Sequence, residues 1–126
     1  MSYADAAAAY RRNAILTASP EKVIKLLYDG AIQNLERSRI GLSDSSTSHS
    51  ADVGVALGKA ISIIGELKSS LDHEVGGEIA QNLELLYEFS TDQISEANIS
   101  RTAAPVDNTL RVLRTLKEGW DGIIPN

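Results

Sequence analysis

Thr17-Ala18-Ser19-Pro20-Glu21-Lys22-Val23-Ile24-Lys25-Leu26-Leu27-Tyr28-Asp29-Gly30-Ala31 is the stretch that decides the fold. Ser19 suits an N-cap, its hydroxyl accepting from the first free backbone N–H groups. Pro20 brings a preset φ to the first helical position, and Glu21 sets a negative charge on the positive end of the helix dipole. The three signals agree on one boundary, so a long helix is predicted from Pro20 to about Leu42. Within it Ile24, Leu27, Ala31 and Leu35 recur at three- and four-residue spacing, and Val23, Leu26 and Tyr28 widen that stripe. So broad an apolar surface must pack against more than one neighbour.

Upstream, Ala4 to Asn13 is alanine-rich, with Tyr10 its one large apolar side chain. A helix that short is marginal alone, so residues 1–18 read as an arm that is mobile or docked on the body through Tyr10, Ile15 and Leu16. Downstream, Ser43-Asp44-Ser45-Ser46-Thr47-Ser48-His49-Ser50 has nothing apolar to bury and is expected to be a mobile link. A second helix is predicted over 52–72, with Val53, Leu57, Ala60, Ile61, Ile64, Leu67 and Leu71 on one stripe. Gly54, Gly58 and Gly65 each cost about 1 kcal/mol there, which packing or a close partner is expected to offset. Gly76-Gly77 ends the next turn. Ile79, Leu83, Leu86, Tyr87, Ser90, Ile94 and Ala97 then define a third helix over 77–99. Pro105 opens a fourth over 105–121, carried by Val106, Leu110, Leu113, Leu116 and Trp120. Short links make successive helices antiparallel, so the expected architecture is an all-α, up-down four-helix bundle in a single domain.

The chain has 126 residues, 43% of them hydrophobic, with one Phe and one Trp, so aliphatic side chains and alanine must fill the core. A net charge of −5 and a pI near 4.9 disfavour nucleic acid and anionic membranes as partners. There is no cysteine, hence neither disulfides nor thiolate metal sites. The start lacks the basic and apolar regions of a signal peptide, and no apolar run is long enough to cross a bilayer.

Catalytic candidates are few. The two histidines, His49 and His73, lie in links and neither belongs to a Glu-x-x-His arrangement, so the di-metal carboxylate site of some bundles has no ligands. Ser19 has no histidine placed to activate it, and no glycine set opens a phosphate-binding loop. No enzyme activity, metal or cofactor is expected. Tyr28 and Tyr87 fall on or beside apolar stripes. Either they are core aromatics whose hydroxyls reach the rim, or they line a groove open to a partner segment. Trp120 reads as a plug at one end of the bundle, and Asn82 and Asn98 as exposed amides or donors to an incoming backbone.

Ala9-Tyr10-Arg11-Arg12-Asn13, Thr17-Ala18-Ser19-Pro20 and Leu26-Leu27-Tyr28-Asp29-Gly30-Ala31 closely resemble the opening of the flagellin-specific export chaperones, the FliS family. Ala60-Ile61, Ile63-Ile64, Glu66-Leu67 and Leu71-Asp72 continue the likeness, as do Gly76-Gly77-Glu78-Ile79-Ala80, Asn82-Leu83, Leu86-Tyr87, Glu96-Ala97-Asn98 and Trp120. The resemblance spans nearly the whole chain. Two features depart from it: Phe89-Ser90-Thr91 replaces a more usual aromatic-methionine pair, and the serine link is long.

The resemblance implies a cytoplasmic, non-enzymatic chaperone. It would hold the disordered C-terminal region of flagellin, prevent premature polymerisation, and deliver its client to a component of the flagellar export gate. It also implies an N-terminal segment able to cover the client surface, and a family that includes dimers. Motif and stripes together give the expected partner-contacting set: Tyr10, Asn13, Ile15, Leu27, Tyr28, Ile61, Ile64, Leu67, Leu83, Leu86 and Tyr87. The competing reading is a structural dimerisation bundle whose spare apolar surface is satisfied by its own copy.

Overall fold

The computed structural model describes residues 20–123. They form α1 (Pro20–Leu42), α2 (Ala51–Ser69), α3 (His73–Ser100) and α4 (Ala104–Ile123), with no strand among the described residues. Each helix packs on its chain neighbours and α4 closes back on α1, which makes a four-helix bundle. α1 begins at Pro20 with Glu21 in its first turn. The Ser19 cap and the arm lie outside the described residues.

The cores of the four stripes meet inside. Tyr28, Ala31 and Leu35 of α1, Leu57, Ala60, Ile64 and Leu67 of α2, Tyr87, Ile94 and Ala97 of α3, and Val106, Leu110 and Leu113 of α4 form one buried cluster. Each seam between helices has its own chemistry. α1 and α2 approach most closely, over glycines: a methyl added at Gly41 would lie 2.5 Å from Val53 Cγ2, and one at Gly30 would lie 3.2 Å from Ile63 Cδ1. The α1/α4 seam is ion-paired along its length. Lys25 meets Asp121 at 3.4 Å, Asp29 meets Lys117 at 2.8 Å, Glu36 meets Arg114, and Arg39 meets Asp107 at 3.8 Å. As the α1 numbers rise the α4 numbers fall, so the two helices are antiparallel. Between α2 and α3 Lys68 reaches Glu88 at 3.0 Å. The α3/α4 seam carries an amide pair, Asn108 Nδ2 donating to Gln93 Oε1 at 3.1 Å.

Three local expectations need correcting. The serine link is hydrogen-bonded and not loose: the Asp44 carboxylate accepts from Ser46 N at 2.9 Å and from Ser46 Oγ at 2.8 Å, which holds that carboxyl below its usual range. Thr47 Oγ1 donates to the Gly41 carbonyl at 2.7 Å, and Ser48 is buried. Polar side chains bonded to nearby backbone here replace the missing apolar packing. Arg101, 51 residues further on, completes the arrangement by donating to the Ser50 carbonyl at 2.9 Å.

The second correction concerns α3, which starts at His73 and not at Gly77. Asp72 caps it by accepting from the Glu74 and Val75 amides, each at 3.1 Å. Gly77 then breaks the helical path at φ 52, ψ −123, a conformation that favours glycine. The first turn is thereby redirected, and His73 Nε2 comes within 3.2 Å of Glu84 Oε2. Third, Gly58 and Gly65 are not matched to close packing, since a methyl at either would meet nothing within 4 Å.

Candidate functional groove

α3 buries only a narrow line of side chains, several of them small: Ala80, Tyr87, Ser90, Ile94 and Ala97. Its remaining apolar residues therefore flank the bundle, with Val75 86%, Ile79 72%, Leu85 60% and Phe89 43% exposed. Scattered exposed apolar residues are ordinary, but with Ile99, 82% exposed near the far end, this helix carries five. Two concavities follow that helix. A trough of about 400 Å³ lies between α3 and α4, walled by Leu86, Phe89, Val112 and Leu116 and rimmed by Asn108, Arg111 and Thr115. A recess of about 230 Å³ lies at the end of the bundle where α2 turns into α3; its wall includes Ile24, Leu67, Leu71, Val75, Ile79, Leu83, Tyr87 and Trp120. Leu83 belongs to the recess and Leu86, three residues on and so on the same helix face, to the trough. From Ile79 to Phe89 the helix axis advances roughly 15 Å, enough to seat about three turns of a partner helix.

Behind the recess, three polar groups from three helices meet. Tyr28 Oη and Tyr87 Oη are 2.6 Å apart, their ring centroids 6.4 Å apart at 56°. Trp120 Nε1 donates to Tyr28 Oη at 3.1 Å. Both tyrosines are buried, and burial raises both phenols above their ordinary value, so each keeps its proton at neutral pH.

Of the expected contact set, Tyr10, Asn13 and Ile15 lie outside the described residues. Tyr28 and Ile64 are core side chains that line neither concavity. Leu27 and Ile61 are half-buried against the core and line neither either. Leu67 and Tyr87 are also core residues, but they form the recess wall, where Leu83 joins them, and Leu86 lies in the trough. Sequence reasoning missed Ile24, Leu71, Val75, Ile79, Phe89, Val112, Leu116 and Trp120 as lining residues. A signal existed for Val112 and Phe89: each is apolar yet sits off its helix's buried stripe, which marks a second apolar face.

Among the described residues no group of three or more His, Cys, Asp or Glu side chains could hold a metal. No helix there is long and apolar enough to cross a membrane. Ser48 Oγ and His49 Nδ1 are 3.1 Å apart, but they are chain neighbours in the serine link, at the opposite end of the bundle from the recess. The described residues thus form a four-helix bundle with two apolar concavities along one helix. The sequence profile of the flagellar protein FliS family matches residues 3–126, and the chain belongs to that family. It is 39% identical over 106 residues to the flagellar secretion chaperone FliSB of Pseudomonas aeruginosa, covering 84% of this chain and 82% of that one. It is 38% identical over 114 residues to the flagellar secretion chaperone FliS of Salmonella typhimurium, covering 90% and 82%. Against the flagellar secretion chaperone FliS of Vibrio cholerae it is 37% identical over 108 residues, covering 86% and 77%. These relatives are named chaperones, not enzymes.

Proposed function

We propose that the protein is a flagellar secretion chaperone of the cytoplasm, which binds the C-terminal region of flagellin, keeps it from polymerising early and delivers it to the export apparatus. The observation that carries this reading, beside family membership, is the apolar line from Ile79 through Leu83 and Leu86 to Phe89, with concavities at both ends. An amphipathic client helix presents apolar side chains every third or fourth residue, the period at which α3 offers its own. The ion-paired α1/α4 seam offers no comparable surface.

Calorimetric titration of the full chain with a peptide of the flagellin C-terminal region tests the reading. Phe89→Asp and Val112→Asp should each weaken binding at least tenfold by placing a charge in the trough. Glu118→Gln, on the exposed side of α4, should leave binding unchanged. A peptide that binds equally well to all of these proteins would exclude the trough. Sedimentation separates the alternative of a self-satisfied dimer, which would ignore the peptide and dissociate only on mutation of α3.

A further inference from the structure

The two concavities differ in charge. Carbon walls the trough, and among the described residues Arg111 is the one charged side chain that lines it. Asp72 is its counterpart in the recess. Arg111 also lines a polar hollow of about 360 Å³ between α1 and α4, together with Arg39, Asp107 and Arg114. The carboxylates there already have cations. Arg39 lies 3.3 Å from Glu36 Oε2 and 3.8 Å from Asp107 Oδ1, and Arg114 also meets Glu36. Among the described residues, then, Arg39, Arg111 and Arg114 face only Glu36 and Asp107, and the excess positive charge falls to Arg111, which is exposed on α4 between hollow and trough. On the α3 side Glu88, next to Phe89, is held by Lys68 at 3.0 Å.

We propose that Arg111 is a specificity-determining residue of the trough, and that the client helix seated there carries an Asp or Glu whose carboxylate pairs with it. A guanidinium can take a carboxylate through two parallel N–H···O bonds. Carbon walls on one side weaken the screening that makes a pair on open surface worth little. A Lys or Arg at that client position is repelled. A carboxylate at the recess end would instead face Asp72, in a chain of net charge −5. Opposite charges at the two ends of the apolar line thereby select the direction in which the helix lies. This inference rests on the chaperone reading and refines it: many amphipathic helices supply carbon at the right spacing, and Arg111 chooses among them.

The test is titration of the full chain and its Arg111→Gln and Arg111→Glu variants with the flagellin C-terminal peptide, and with peptides in which each Asp or Glu is replaced in turn by its amide. Arg111→Gln should weaken binding roughly two- to fivefold, the worth of one partly exposed ion pair, and Arg111→Glu should weaken it further. One neutralised peptide position should weaken binding to the wild type by a similar factor and add nothing on Arg111→Gln, as a double-mutant cycle requires. Lys at that peptide position should restore binding to Arg111→Glu. Arg37→Gln removes the same charge from the exposed side of α1, away from both concavities, and should leave affinity unchanged. Unaltered affinity of both Arg111 variants, an equal loss at Arg37, or a cycle with no coupled position overturns the inference while leaving the chaperone reading standing. A peptide that the wild type does not bind overturns both. Urea unfolding checks that the Arg111 variants are folded; should they not be, the neutralised peptides on wild-type protein decide the matter, since binding as tight as the original by every one of them refutes the claim.

Discussion

Tyr28, Tyr87 and Trp120 tie α1, α3 and α4 together through hydroxyl and indole groups and not through apolar contact alone. Burial is the largest cause of the raised phenol pKa at both tyrosines. In the unfolded chain the same phenols ionise near 10. The folded state therefore holds more protons than the unfolded one above that pH, and stability must fall as pH rises there. This contribution is fully present below about pH 10 and is lost above it. Alkaline titration followed by phenolate absorbance should show these two residues ionising only as the bundle unfolds. The double variant Tyr28→Phe, Tyr87→Phe should move that unfolding to higher pH. Phenolate appearing in two equal steps while the helical signal stays intact would show that the pair is solvent-accessible. The sequence placed both tyrosines on apolar stripes, and of the two readings left open the core one describes their burial. Their partnership was not legible, because it depends on the register of helices whose tyrosines are 59 residues apart.

The elements show where local rules were sufficient and where they failed. At the head of α1 Pro20 and Glu21 are helical, as capping and dipole signals that act within one turn require, and the Ser19 cap lies outside the described residues. The start of α3 was legible in part: Gly76-Gly77 marks the break at which its long segment begins, whereas the extra turn from His73, capped by Asp72 ahead of that break, was not foreseen. The glycines give a graded test of this picture. Gly58→Ala and Gly65→Ala meet nothing and should each stabilise by about 1 kcal/mol, the helix-propensity difference. Gly41→Ala should destabilise by about 1–3 kcal/mol, since the new methyl overlaps Val53 Cγ2 and a β-branched side chain in a helix has little freedom to move. Gly77→Ala should cost about 1–3 kcal/mol although its surroundings are open, because the positive φ is strained for any residue with a Cβ. Urea midpoints of the four variants measure all of this. Equal effects at Gly41 and Gly58 would mean that α1 and α2 are not in close approach at that level. The serine link makes the complementary point: its own hydrogen bonds follow from Asp44 and Thr47, but Arg101 arrives from another turn and no local reading could supply it.

At the scale of the whole molecule the bundle is asymmetric, with a seam closed by ion pairs on the α1/α4 side and an apolar line left open along α3. Four amphipathic helices with short links sufficed to read the bundle itself. The lining of the concavities was less legible: stripe analysis assigns every periodic apolar residue to one core, so Tyr28 and Ile64 of the expected contact set line neither concavity, while Phe89 and Val112, outside that set, line the trough. What separates the two faces is that α3 buries a narrow line, three of its five side chains small, and leaves Val75, Ile79, Leu85 and Phe89 exposed, which only the packed structure reveals. On the proposed chaperone role, the same asymmetry constrains how a client would bind. A segment held before polymerisation has no bundle of its own in which to bury apolar side chains, and a line roughly 15 Å long fits about ten helical residues. Covering it with helix satisfies the client's backbone hydrogen bonds internally and presents carbon at the spacing of Ile79, Leu83, Leu86 and Phe89. Binding and helix formation should then be one event. Circular dichroism of protein and flagellin peptide together should exceed the sum of the separate helical signals, and calorimetry at several temperatures should give a markedly negative heat-capacity change. Ordering the peptide offsets about 2–5 kcal/mol of the gross interaction, so a complex of this contact length should be reversible. Stapling the peptide into a preformed helix should tighten binding by removing that cost. Tight binding without added helicity, or a stapled peptide that binds more weakly than the free one, would mean that the client lies extended along α3, and the helix-in-groove mechanism would be wrong.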